Sequence, residues 1–163
     1  MAAVITFGGL AGMAQAATGG AAMDPVGPPG KAKIAKDGTA IPPADAPRKV
    51  VKAIKAANKI EDKPYKWGGG HGRWKDKGYD CSGAVSYALR AAKLVDTPLD
   101  SSGFMRWGKR GKGDWITVYS NPGHAYAVIA GLRWDTSMTA GDGPGWSKKM
   151  RSSSGFKVRN KGV

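Results

Sequence analysis

The fold is decided by the stretch Tyr79-Asp80-Cys81-Ser82-Gly83, because it opens a run in which apolar residues return at helical spacing. This apolar stripe consists of Ala84, Val85, Ala88, Leu89 and Ala92. Asp80 precedes the run, and its carboxylate is suited to accept hydrogen bonds from the unpaired N–H groups of a first helical turn. The pattern therefore predicts a buried helix over residues 81–93, with Cys81 in its first turn.

Cys81 is the sole cysteine of the 163-residue chain, so no intramolecular disulfide can form. A thiol attacks a carbonyl group only as the thiolate, and the positive end of a helix favours that charged form. The N–H group of Ser82 would face the oxyanion that such an attack creates. A lone cysteine can equally be an inert, buried side chain, so its neighbours must decide between the two interpretations.

Upstream of this helix, residues 65–72 contain four glycines and cannot hold regular structure. We expect a loop here whose backbone passes close to another part of the chain. Trp67 is interpreted as a structural side chain that packs over this loop. Further upstream, Pro47 suits a first helical position and apolar residues again recur at helical spacing, which predicts a helix over residues 46–58.

Downstream of the helix, the composition changes to that of strands and tight turns. Residues 114–119 and 124–130 are rich in strand-forming side chains, and the turn residues Ser-Asn-Pro-Gly separate them. A third run follows over residues 132–136. The simplest arrangement is a three-stranded antiparallel meander with His124 near one end. Helices come first and strands after, which predicts an α+β fold.

A catalytic thiol needs a base, and the chain has only two histidines, His71 and His124. His124 opens a strand directly after a tight turn, where the imidazole can be aimed, whereas His71 lies among glycines. His124 is therefore favoured as the base. Asp135 is expected to project from the following strand on the same face and to orient the imidazole. Thr136 or Ser137 would take this role if the register differed.

Three motifs in this order resemble the NlpC-type cell-wall cysteine peptidases, also called the NlpC and p-sixty family. They are Tyr65-x-Trp67-Gly68-Gly69, then Tyr79-Asp80-Cys81-Ser82-Gly83 at a helix start, then Gly123-His124 at a strand start. The resemblance extends over about residues 47–137. It implies a papain-like fold, in which amino-terminal helices with the nucleophile at a helix start pack on a small antiparallel sheet that carries the histidine.

The same resemblance implies roles for individual residues. Cys81 would be the nucleophile and His124 the base. The third catalytic member falls near Asp135, although family members usually have His, Asn or Gln there. Tyr65 would donate a hydrogen bond beside the nucleophile, while Asp80 and Ser82 would border the substrate groove.

The implied reaction is hydrolysis of an amide bond in the peptide stem of peptidoglycan, commonly between D-glutamate and a diamino acid. The chain has 26 Lys and Arg against 12 Asp and Glu, for a net charge of +14. Such a charge predicts an anionic partner. We expect peptidoglycan stem peptides and anionic cell-wall polymers as partners, and no specific nucleic acid. The protein is expected to act as a monomer without a cofactor or metal.

Within the thiol class, an acyltransferase differs from a hydrolase only in whether an amine or water resolves the acyl-enzyme, and water is the default. Two functions outside this class also remain open from the residues alone. One is a zinc amidase using His71, Cys81 and His124, although no compact ligand spacing supports it. The other is an inactive, cationic module that binds the cell wall or nucleic acid, in which basic runs and tryptophans form the binding surface. This second reading leaves the position of the cysteine at a helix start unexplained.

The ends of the chain differ in composition from its centre. Residues 1–16 form an apolar run that closes on Ala14-Gln15-Ala16, which predicts a cleaved signal peptide, no stable membrane span and a secreted or cell-wall location. Residues 17–45 are rich in Gly, Ala and Pro and predict a flexible linker. The peptidase domain is expected over residues 46–163, with a basic tail from 147 onward that takes no part in the chemistry.

Overall fold

A computed structural model of the chain describes residues 30–137 and 143–163. Its helices are α1 (Arg48–Ala57), α2 (Cys81–Ala91) and α3 (Ser101–Phe104). Its strands are β1 (Lys33–Ile34), β2 (Ala40–Ile41), β3 (Lys109–Arg110), β4 (Ile116–Asn121), β5 (His124–Ile129), β6 (Leu132–Asp135), β7 (Gly145–Ser147) and β8 (Lys157–Asn160). None of the helices in the described part is long and apolar enough to cross a membrane.

The main sheet has six antiparallel strands in the order β3-β8-β4-β5-β6-β7. Helices α1 and α2 pack against each other, and α2 also lies against β5 and β6. The core between these layers contains Ile54, Leu89, Ile129 and Trp134, all fully buried. The indole N–H of Trp134 donates to the carbonyl of Ala84 at 3.1 Å, which ties β6 to α2. The α+β expectation is confirmed.

The start of α2 is built by a cap and a close backbone approach. Asp80 accepts a hydrogen bond from the N–H of Gly83 at 2.7 Å and so closes the first turn. The carbonyl of Gly69 accepts from the N–H of Asp80 at 3.2 Å and lies directly against Gly83. A Cβ atom on Gly83 would collide with that carbonyl. The glycine loop therefore packs on the helix start, and glycine is required on the helix side of the contact.

The turn between β4 and β5 fixes the backbone at His124. The side-chain oxygen of Asn121 accepts hydrogen bonds from the N–H groups of Gly123 and His124, at 3.0 and 2.8 Å. The register then pairs Ala127 of β5 with Trp134 of β6. This register places Asp135 on the face that carries His124, but one diagonal step along the ladder rather than directly opposite.

Residues 30–45 differ from the flexible linker that the composition predicts. Strands β1 and β2 pair as a hairpin, and Ala32 and Ala40 are buried in the core. The Asn58 side chain bonds to both the N–H and the carbonyl of Ala40, at 2.9 and 2.8 Å. The hairpin is therefore anchored to the end of α1, and small side chains serve as core residues. Residues 1–16, predicted as a signal peptide, and residues 17–29 lie outside the described residues.

The basic segment 147–163 also differs from expectation, because it is not an appendage. Strand β8 lies between β3 and β4, with Tyr119 paired to Val158. Strand β7 pairs with β6 through Trp146 and Trp134. The expected three-stranded meander is therefore only the centre of a six-stranded sheet, and the prediction of a separate tail is wrong.

Candidate active site

Cys81 is the first residue of α2 and remains partly exposed. Its thiol hydrogen-bonds to the imidazole of His124, which comes from the first residue of β5. The sheet therefore brings a histidine to the amino end of the helix that carries the cysteine. This is the arrangement of a thiol nucleophile beside its base.

The imidazole of His124 is held from its far side. Its Nε2 atom lies 2.8 Å from Oδ1 of Asp135. The Asp135 side chain is completely buried, whereas 21% of the His124 side chain is exposed. Because Asp135 engages Nε2, the nitrogen that faces the thiol is Nδ1. The sequence-predicted residues Cys81, His124 and Asp135 are thus brought together in one chain of contacts.

The second oxygen of Asp135 has partners of its own. Oδ2 accepts from the hydroxyl of Ser137 at 2.9 Å and from Nη1 of Arg151 at 3.1 Å. Nε of Arg133 lies 3.6 Å from the same oxygen. Ser137, an alternative orienting residue from the sequence, therefore supports Asp135 instead of replacing it. Thr136, the other alternative, is buried beside it.

These contacts set the charges of the pair at neutral pH. Burial alone lowers the pKa of His124, but hydrogen bonds and charge interactions with Asp135 and Cys81 outweigh it and raise that pKa to about 9. Burial alone raises the pKa of Asp135, but its bonds to His124 and Ser137 prevail and lower that pKa to about 2. The imidazolium and the carboxylate are therefore an ion pair across the neutral range.

An open groove of about 430 Å³ lies over the thiol. Its lining includes Tyr65, Trp67, His71, Asp80, Cys81, Ser82, Asp100, Ser101 and Gly123. The expected substrate-side residues Tyr65, Asp80 and Ser82 thus share one wall. Trp67 is 87% exposed at this groove, so its interpretation as a packed structural side chain is wrong. The loop turns this ring outward, so its flat face is accessible to a ligand in the groove.

A second histidine and aspartate lie on the same wall. Nε2 of His71 is 2.9 Å from Oδ1 of Asp80 and 3.2 Å from the hydroxyl of Ser82. The hydrogen bond to Asp80 raises the pKa of His71 against the opposing effect of burial. Burial opposes the ionisation of Asp80, but bonds from His71 and from Gly83 hold its pKa below the usual value. Across residues 30–137 and 143–163, no three His, Cys, Asp or Glu side chains converge to hold a metal.

Sequence reasoning missed the contribution of the segment before β8. Phe156 packs edge-on against His124, with 6.4 Å between ring centroids, and against Tyr126 at 5.2 Å. Arg151 reaches Asp135 from the same segment. The sequence signal for this packing was Phe156 within an otherwise basic run, because a phenyl ring is usually buried and a solvated tail would leave it exposed to water.

Searches against protein-family models and curated protein sequences give no match. Solved structures are similar in fold. A mutant of the Resuscitation Promoting Factor Interacting protein RipA, changed at a glutamate, superposes with a TM-score of 0.51 at 18% identity, covering 82% of this chain and 69% of that one. A second RipA mutant, changed at a histidine, gives 0.50 at 19% identity, covering 83% and 70%.

A hypothetical invasion protein of Mycobacterium tuberculosis superposes with a TM-score of 0.49 at 19% identity, covering 82% of this chain and 69% of that one. At such identities the likeness concerns the fold. The two RipA superpositions agree with the fold that the three sequence motifs predict. The chain therefore has an NlpC-type, papain-like fold.

Proposed function

We propose that this protein is a secreted cysteine endopeptidase that hydrolyses an amide bond in the peptide stem of peptidoglycan. The observation that carries the proposal is the continuous contact from the Cys81 thiol through His124 to the buried Asp135. An imidazole oriented by a buried carboxylate has a catalytic role beside a thiol, whereas it would serve no purpose beside an inert, structural cysteine. The NlpC-type fold adds the substrate class, because the family that the motifs resemble acts on cell-wall peptides.

The reaction begins with attack by the Cys81 sulfur on the carbonyl carbon of the scissile amide. The proton of the thiol is then on Nδ1 of His124, and negative charge develops on the carbonyl oxygen. In the first turn of α2, Asp80 already engages the N–H groups of Gly83 and Ala84. The N–H groups of Cys81 and Ser82 are left to stabilise the oxyanion.

Collapse of this intermediate breaks the carbon–nitrogen bond. His124 gives its proton to the departing amine, and the acyl group stays on the sulfur as a thioester. Water then attacks the thioester carbon while His124 accepts a proton from it. The products are a free carboxylate and the regenerated thiol. Asp135 stays ionised throughout and keeps the imidazole in the tautomer that both steps need.

The groove is compatible with a polar peptide. Tyr65, Asp80 and Ser82 offer hydrogen-bonding groups on one wall, and the exposed ring of Trp67 offers a stacking surface. By the family resemblance, the scissile bond joins D-glutamate to a diamino acid. The net charge of +14 would hold the enzyme on an anionic wall, in a manner that weakens as salt rises.

Incubation of the purified protein with defined muropeptides, followed by mass spectrometry, tests the proposal. We expect a product pair that differs from the substrate by one water and locates the bond between D-glutamate and the diamino acid. The matched control is Cys81→Ala, which should fold normally and release nothing. A folded wild-type protein that cleaves none of the stem peptides would reject the enzymatic function.

A second function, an inactive cationic wall-binding module, is favoured by two observations, the charge of +14 and the exposed Trp67. It predicts that Cys81→Ala and wild type bind purified walls alike and that neither cleaves them. Wall pelleting at rising salt, measured beside the muropeptide assay, separates the two functions. Binding with cleavage supports the peptidase, and binding without cleavage supports the module.

A further inference from the structure

Arg151 lies in the connection between β7 and β8, a segment whose composition indicated only a solvated basic end. Its Nη1 atom donates to Oδ2 of Asp135 at 3.1 Å and to the hydroxyl of Ser137 at 3.2 Å. Asp135 is fully buried, while about a third of the Arg151 side chain is exposed, at 33%. One nitrogen of the guanidinium therefore reaches from the surface to a buried carboxylate and to the hydroxyl that supports it.

The partners of Asp135 divide between its two oxygens. Oδ1 meets Nε2 of His124 and accepts from the backbone N–H of Ser137 at 3.2 Å, whereas Oδ2 accepts from Nη1 of Arg151 and from the hydroxyl of Ser137. Rotation of the carboxylate would break contacts at both oxygens, so it is held in one orientation. That orientation points Oδ1 at the imidazole. Nε of Arg133 also approaches Oδ2, at the ion-pair distance of 3.6 Å, so two cations face this oxygen.

The guanidinium of Arg151 is itself held by aromatic rings. Its central carbon lies 5.4 Å from the ring centroid of Tyr126 and 5.4 Å from that of Phe156. Both distances are within the range of cation–π attraction. Phe156 also packs edge-on against His124. The segment 150–156 therefore covers the outer side of the histidine and aspartate pair, with Arg151 as its polar contact and Phe156 as its apolar one.

We propose that Arg151 is a positioning residue of the peptidase site, which holds Asp135 with Oδ1 facing His124 and offsets part of the carboxylate charge. This inference rests on the proposed function for its kinetic consequence. Its electrostatic consequence depends only on the geometry. A cation on the far side of Asp135 weakens the pull of the carboxylate on the imidazolium, and it also repels the imidazolium directly.

The groups around the His124 and Asp135 pair determine the sign of the effect. They are Cys81 from α2, Asp135 and Arg133 from β6, Tyr126 from its own strand, and Arg151 and Phe156 from the segment before β8. Removal of the Arg151 cation leaves more of the Asp135 charge acting on His124. The pKa of His124 should therefore rise when Arg151 is neutralised. Loss of Asp135 should move it the opposite way.

The test compares Arg151→Gln and Arg151→Lys with Lys149→Gln, which removes an exposed cation from the same segment. The His124 pKa is measured by NMR titration of the imidazole. The rate of Cys81 alkylation by iodoacetamide is measured across the same pH range. Both readouts work without substrate, and alkylation is specific because Cys81 is the sole cysteine. Turnover of a soluble stem peptide is measured in parallel.

In Arg151→Gln we expect the His124 pKa to rise by about half a unit and turnover to fall about tenfold with little change in KM. Arg151→Lys keeps the cation without the planar fork, so it should restore the pKa more fully than the turnover. Lys149→Gln should match wild type in all three measurements. A merely structural role would change neither the titration nor the split between turnover and KM.

The proposal is overturned if the His124 pKa and the pH dependence of alkylation are the same in Arg151→Gln, Arg151→Lys and wild type. Should Arg151→Gln fail to fold, Arg151→Lys still decides, because a lysine ammonium cannot reproduce the contacts that Nη1 makes with Oδ2 of Asp135 and the hydroxyl of Ser137 and must lower turnover. A shifted pKa in a protein without any peptidase activity would support the positioning role and reject the proposed function. The two failures are therefore distinguishable.

Discussion

Two pairs of histidine and aspartate flank Cys81, and their distances are nearly identical. His124 and Asp135 are 2.8 Å apart, and His71 and Asp80 are 2.9 Å apart. The surroundings differ. Asp135 has no exposed side-chain surface, whereas 14% of the Asp80 side chain is exposed and its oxygens also cap α2. Separation alone therefore does not distinguish a catalytic pair from one that shapes a groove.

The two pairs differ more clearly in the backbone that carries each histidine. His124 follows a turn closed by Asn121 and begins a strand inside the sheet. His71 follows Gly70, which has a positive φ of 84°, in a loop held by contacts to the start of α2. The thiol bonds to His124, on the rigid side. The proposed mechanism therefore assigns the chemical step to His124 on the sheet and substrate contact to His71 in the loop.

Removing each imidazole in turn is the strongest test of this assignment. His124→Ala should reduce kcat/KM for a stem peptide by about 10³-fold or more, because the thiol loses both its base and its ion-pair partner. His71→Ala should cost less than about tenfold, mainly in KM. Steady-state kinetics on both variants, with circular dichroism as a control for folding, makes the comparison. A larger loss in His71→Ala would reverse the assignment.

The two carboxylates can be compared through Asp135→Asn and Asp80→Asn. An amide at 135 keeps a hydrogen-bond acceptor but removes the charge that raises the His124 pKa to about 9. The alkaline limit of activity should therefore move to lower pH, and turnover should fall by about 10- to 100-fold. Asparagine at 80 still caps a helix, so stability should hold and the alkaline limit should stay near 9. The pH profile of kcat/KM is the measurement, and equal shifts in both variants would contradict the comparison.

The His124 and Asp135 pair should also dominate the pH dependence of the free energy of unfolding. A His124 pKa raised from 6.5 to about 9 contributes stability that is fully present below pH 6.5 and lost as pH rises through 9. An Asp135 pKa lowered from 3.8 to about 2 contributes stability that is present above pH 3.8 and lost as pH falls toward 2. We expect the Tm to be highest between these limits and the alkaline decline to weaken in His124→Ala. An unchanged decline in that variant would assign it to other groups.

The smallest effect is expected on the loop side, at Trp67. Because 87% of this residue is exposed, Trp67→Ala should leave the Tm within error. If the ring only offers surface to the substrate, KM should rise about threefold with kcat unchanged. Kinetics on a muropeptide and on a shorter stem peptide would sharpen this, since loss of stacking should matter more for the larger substrate. A changed kcat would indicate that the loop takes part in the chemical step.

Much of the site was visible in the sequence because its signals are local. Cys81 stands at a capped helix start, His124 follows a turn, and Asp135 lies on the correct face of the next strand. The diagonal register follows from the two-residue turn that pairs Ile129 with Leu132, and the sequence alone left the register open by one or two residues. The fold class followed from the order of helices and strands.

The strands outside these motifs could not be predicted from the sequence, because they depend on contacts between residues that are far apart in the chain. Strand β8 has the sequence Lys-Val-Arg-Asn with a single apolar residue, Val158, so composition alone indicates a solvated run. Its partners lie about fifty residues upstream in β3 and about forty residues upstream in β4. Strands β1 and β2 have two residues each, too few for a periodic signal. The packing of β2 against the end of α1 is a tertiary property.

The place of β8 also has a consequence for biogenesis. Its insertion between β3 and β4 means that the central sheet cannot close until residue 160 has left the ribosome. Contacts of such large sequence separation slow folding and keep the nascent chain open. An unclosed sheet leaves Asp135 without Arg151 and His124 without Phe156. The proposed peptidase would therefore gain its full activity only after synthesis of the segment that completes its sheet.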